Sequence, residues 1–234
     1  MGVSTTAAAD YQFRQATAEQ RRWALHNLFP HWDGREETQA EAQAHAASPP
    51  SAEVQAARPL LTFNEDRFTS HHEPALYLSQ PTAYGDRTAV PGDCLFASIS
   101  YALTGSPSNS WLIRQQIASH IERHPDIVSN AAVAEVAGPV RPGETRDQWV
   151  RRYTQGLLRL STWGDDLHIQ LLCDLARVNV FLYRQGPGKQ PAGGGSPLEA
   201  WTLYSTKDGP GDYPVIFLLH EPGHYKSVTR VRSY

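Results

Sequence analysis

Cys94 follows Gly92-Asp93 and opens the run Cys94 to Leu103, where Leu95, Ile99 and Ala102 recur at helical spacing and Gly105 can close the helix. A thiol there meets the free N–H groups and the positive end of the helix dipole, both of which favour its anion. Thiolate is the nucleophilic form of cysteine, and a nearby imidazole lowers the pKa further. The backbone N–H groups of residues 92–94 can also hold an oxyanion. The chain has one other cysteine, Cys173, which sits among Leu171, Leu172 and Leu175 and reads as a small buried hydrophobe.

A nucleophile of this kind needs a base. His224 follows Pro222-Gly223 and precedes Tyr225, so its ring is expected at the start of a strand, open to a partner from elsewhere in the chain. Histidine titrates near neutrality and suits that task. The stretch His220-Glu221-Pro222-Gly223-His224 also matches the H-E-x-x-H zinc-peptidase pattern. That pattern binds metal only on a helix, where residues i and i+4 share a face. Pro in a helix interior costs about 3 kcal/mol and Gly about 1 more. A hairpin turn is the better reading, and no metal or cofactor is expected.

These residues must be positioned by elements. Helices are expected over 10–29, with Asp10 as a possible cap, and over 94–103, 110–124, 147–160 and 165–177. The second of the later helices carries Ile113, Ile117 and Ile121 as one core-facing stripe. Strands are expected over 178–183, 201–204, 213–220 and 224–231, with a Gly/Pro-rich loop at 186–197. Helices followed by a mostly antiparallel sheet define an α+β architecture. Residues 34–59 are rich in Ala, Gln, Glu, Ser and Pro and carry Pro49-Pro50, which predicts a flexible linker. The expected organisation is therefore residues 1–59 as an N-terminal helix and linker, and residues 60–234 as one compact domain.

Composition narrows the function. The 234 residues carry 21 Lys+Arg and 24 Asp+Glu, a net charge of −3, which supplies no basic footprint for nucleic acid. The longest apolar run, Val215 to Leu219, is too short for a membrane span or a signal-peptide core. Two cysteines make neither a disulfide framework nor a Cys-built zinc site, so a reducing compartment, the cytoplasm, is the expected location.

Taken in order, Pro91-Gly92-Asp93-Cys94-Leu95-Phe96, then Trp163-Gly164-Asp165 opening a helix, then His224-Tyr225-x-x-Val228 resemble the ovarian tumour (OTU) family of cysteine peptidases. The resemblance covers Asp86 to Val231. It implies a papain-like α+β OTU fold, hydrolysis of isopeptide bonds at the C-terminal glycine of ubiquitin, and ubiquitin or polyubiquitin chains as partners. By that likeness Cys94 is the nucleophile, His224 the general base, and Gly92, Asp93 and Trp163 line the oxyanion loop and substrate channel. A secreted effector acting in a host cytosol would carry the same signature. The family commonly has Asn or Asp two residues after the histidine, where this chain has Lys226, which cannot accept a hydrogen bond from the ring. It often has Asp three residues before the cysteine, where this chain has Pro91. Asp86 is the first candidate for the missing acid and Asp93 the rival, although Asp93 could instead cap the helix. The alternatives are a catalytically inactive OTU fold that binds ubiquitin and, third, the zinc peptidase.

Overall fold

The structure, a computed structural model, describes residues 16–32, 61, 81–85, 92–159, 161–184 and 201–231, with 81–85 and 230–231 described by their backbone alone. Helix α1 spans Ala18–Leu28, and Thr17 starts it through a capping box with Gln20. Asp10, the cap expected from sequence, lies outside the described residues. Strand β1 is Pro81–Gly85. Helix α2, Cys94–Thr104, is buried almost all round and ends at Gly105 in the left-handed region, φ +73°. A 3₁₀ turn at Pro107–Asn109 leads into α3, Ser110–Arg123.

Helix α4, Asn130–Ala137, is capped by Ser129 and buries only Val133, which is why no apolar stripe announces it. Helix α5, Arg146–Leu157, starts at a Thr145–Gln148 capping box. Helix α6, Asp166–Ala176, starts at Asp165, whose carboxylate accepts from the Leu167 and His168 amides. Strands β2 (Asn179–Arg184), β3 (Trp201–Tyr204), β4 (Val215–Glu221) and β5 (His224–Val231) follow.

The five strands form one sheet in the order β1-β5-β4-β2-β3. Three of its four pairings are antiparallel and β2–β4 is parallel, so the sheet is mostly antiparallel, as expected. Strand β1 was not expected, because Pro81-Thr82-Ala83-Tyr84-Gly85 has little β character and becomes a strand by pairing with β5 at the sheet edge.

Alternation splits the strand residues between two faces. Val180, Leu182, Ile216, Leu218 and Tyr225 join the main core with the helices, while Phe181, Tyr183, Trp201, Phe217, Leu219 and Val228 form a second cluster on the far face. Ala24, Leu25, Leu28, Phe29 and Trp32 belong to the main core, α1 packs on α2 and α6, and the Ala16 amide donates to the Val215 carbonyl. A boundary near Leu60 therefore does not set α1 apart from the core. Residues 34–59, 62–80 and 186–197 lie outside the described residues.

Candidate active site

Cys94 is the first residue of α2 and is 2% exposed. Burial pushes its thiol pKa up; the backbone amides of Tyr225, Leu95 and Cys94 itself pull the other way, and the Asp93 charge adds to the rise. The helix start therefore does not by itself yield a thiolate, contrary to the expectation from the dipole. Desolvation outweighs the amides when the sulfur is closed off from water. Ionisation then requires a base.

The Tyr225 amide that faces the sulfur belongs to the residue after His224, so the fold brings the helix start and the start of β5 together across 130 positions of sequence. His224 pairs with Glu221 in the β4–β5 ladder, and Pro222-Gly223 form the two-residue turn between them, with Gly223 at φ +71°. A Cβ on Gly223 would lie 4.0 Å from the Trp163 ring, and that ring is 51% exposed. Trp163 thus stands beside the turn that precedes His224.

Pairing register also bears on the His220-to-His224 stretch. His224 shares its ladder position with Glu221 and His220 shares its own with Tyr225, so the two histidines project to opposite faces of the hairpin. His220 stacks on Tyr225 with ring centroids 4.4 Å apart. One ion cannot take both imidazoles, and these residues are strand, turn and strand, as the hairpin reading expects.

Asp93 does not cap α2, since its side chain makes no capping bond. It instead accepts from the Arg114 guanidinium at 2.7 Å in a buried ion pair. This engages one of its two carboxylate oxygens with Arg114. Gly92 has φ +92°, a left-handed conformation that favours glycine. Asp86 lies outside the described residues; β1 ends just before it, with Gly85 opposite Ser227 of β5. Lys226 is 2.5 Å from Glu221, so the residue two places after the histidine holds a neighbouring carboxylate. Cys173 is fully buried and burial raises its pKa, in keeping with a packing role.

The Trp163-Gly164-Asp165 segment docks directly on α2. A Cβ at Gly164 would fall 2.6 Å from Leu95 Cδ2 and 2.8 Å from Phe96 Cε2, so only glycine lets this loop approach. Burial works to raise the Asp165 pKa, but the His168 side chain and the Leu167 and His168 amides outweigh it, leaving the carboxyl below its usual value. His168 in turn meets the Tyr153 hydroxyl at 3.1 Å. Sequence reasoning missed Arg114. The signal was present: Arg114 lies three residues before Ile117 and seven before Ile121, on the apolar stripe of α3.

An α+β fold with a cysteine opening a buried helix against a histidine-bearing strand is the arrangement of the papain-like thiol peptidases. The OTU-like cysteine protease model matches residues 90–206, half of the chain, and the chain belongs to that family. The matched region contains Cys94 and Trp163 and stops before β4 and β5, so it does not reach His224. Ubiquitin thioesterase otu2 of Schizosaccharomyces pombe is 32% identical over 100 residues, which are 41% of this chain and 31% of that protein. The match thus spans under a third of the relative's length. Among solved structures, the OTUD1 OTU domain is similar with a TM-score of 0.43 at 17% identity, covering 61% of this chain and 82% of that one. An OTU deubiquitinase from Wolbachia pipientis, bound to ubiquitin, is similar with a TM-score of 0.38 at 18% identity, covering 65% and 94%.

Proposed function

We propose that this protein is a deubiquitinase that hydrolyses the isopeptide bond between the C-terminal glycine of ubiquitin and a lysine amine. The observation that carries the reading is the Cys94 sulfur facing the amide of Tyr225, next to His224, in a chain of the OTU-like cysteine protease family. His224 takes the thiol proton as Cys94 Sγ attacks the glycine carbonyl, and amides at the start of α2 hold the oxyanion. The carbon–nitrogen bond breaks, and His224 returns the proton to the leaving amine. Water, deprotonated by His224, then hydrolyses the thioester and regenerates the thiol. The raised thiol pKa fits this sequence, because a neutral thiol hands its proton to the base during attack. Trp163, exposed beside the Gly223 turn, lines the channel for the glycine-rich tail.

A second reading, an inactive fold that binds ubiquitin, is favoured by one observation: Lys226 occupies the place of the orienting acid, and among the described residues no carboxylate pairs with the His224 ring. A ubiquitin-tail probe with a thiol-reactive warhead separates the two. The deubiquitinase forms a covalent adduct that Cys94→Ala abolishes and Cys173→Ala leaves intact. Binding of ubiquitin with no adduct would establish the inactive fold instead.

A further inference from the structure

Arg114 is 0% exposed on the apolar stripe of α3, and burying a guanidinium is unfavourable unless its N–H groups find acceptors. Here they do. Nε donates to Asp93 at 2.7 Å, Nη1 to the Leu157 carbonyl at 2.8 Å, and Nη2 to the carbonyls of Gly92 and Thr162 at 2.8 and 2.9 Å. The guanidinium carbon lies 4.0 Å from the Phe96 ring centroid. These acceptors come from three segments: the turn before Cys94, the end of α5, and the loop that runs into Trp163.

We propose that Arg114 is a positioning residue that fixes the Gly92-Asp93 turn, and with it the oxyanion-holding amides, against the Trp163 loop. The inference rests on the reading of Cys94 as the nucleophile. Two features require such an anchor. Gly92 sits at φ +92°, and Asp93 makes no capping bond to α2, so the turn is not secured by the helix it precedes. The Asp93 charge also opposes formation of the thiolate beside it, and a guanidinium bonded to that carboxylate offsets the effect. A lysine keeps the charge but is a point donor; it cannot span a carboxylate and three carbonyls spread around a planar fork.

The test uses the full chain carrying Arg114→Lys or Asp93→Asn. The kcat and KM on a ubiquitin-tail fluorogenic substrate are measured per folded molecule, with the folded fraction taken from thermal melts. The pH dependence of Cys94 alkylation by iodoacetamide is followed by peptide mass. Arg114→Lys is expected to lower kcat about 100-fold with KM little changed, the cost of misplacing a reacting geometry by about an ångström. Its alkylation profile moves to higher pH. Asp93→Asn still accepts from Nε, so it loses less kcat, and its alkylation profile moves to lower pH.

Wild-type kcat per folded Arg114→Lys molecule, with only a lower melting temperature, would reduce Arg114 to a structural role and overturn the inference. If Arg114→Lys does not fold, Asp93→Asn decides, and an unchanged kcat with an unchanged alkylation profile overturns it equally. A wild-type chain that neither labels nor cleaves defeats the deubiquitinase reading alone; the alkylation profiles need no ubiquitin and still report on the turn.

Discussion

His224 shares one face of the β4–β5 hairpin with Glu221 and Lys226, and those two are paired with each other. An imidazole that takes a proton from a thiol works best when its far nitrogen donates to an acceptor that holds the right tautomer. Asp93 is held by Arg114 through Oδ1. Asp86 remains the first candidate, because β1 brings the chain to Gly85 alongside Ser227, three residues beyond His224. Asp86→Ala is expected to lower the single-turnover rate by about 10- to 1000-fold, less than the roughly 10⁴-fold loss when a serine triad loses its acid, since a thiol depends less on its base. Lys226→Ala should leave the chemical step intact. If Asp86→Ala is unimpaired and Glu221→Gln falls instead, the acceptor is the glutamate opposite His224.

At the scale of elements, the position of α2 against the Trp163 loop decides where the sulfur points. Gly164 permits that contact, and both atoms a Cβ would strike belong to Leu95 and Phe96, whose side chains are fully buried. Gly164→Ala should therefore either push the loop outward or shift the start of α2. Overpacking of this kind costs about 1–3 kcal/mol. Because the strain falls on the residues following Cys94, turnover should drop more than stability alone explains. Thermal melts beside kcat at a temperature where the variant is fully folded check this; equal kcat would mean that the loop adapts without moving the helix.

For the whole molecule, α1 is the test of what counts as the domain. Leu25 is 0% exposed, Leu28 2%, Phe29 1% and Trp32 3%, all within the core that also holds α2. Losing large core side chains costs about 2–5 kcal/mol each, against a total stability of about 5–15 kcal/mol for a domain. A fragment beginning at Leu60 should thus be molten or insoluble, and Leu25→Ala in the full chain should lose about 2–5 kcal/mol in denaturant melts. A soluble Leu60 fragment with native near-ultraviolet circular dichroism and full turnover on the tail substrate would make α1 an accessory element.

Local pattern was enough for α2, α3, α5 and α6, for β2 to β5 and for the hairpin at Pro222-Gly223, because periodicity, caps and turn residues are written in consecutive positions. Local pattern also singled out Cys94 over Cys173. It could not place α1 in the core, since the residues between it and the sheet carry no sign of where the chain returns. Nor could it see β1, whose strand state exists only through pairing with β5. The thiol pKa, the engagement of Asp93 by Arg114 and the opposite faces of His220 and His224 were decided by tertiary structure alone. Each depends on desolvation, a buried partner or a ladder register, quantities set by residues far apart in sequence that meet only when the chain is folded.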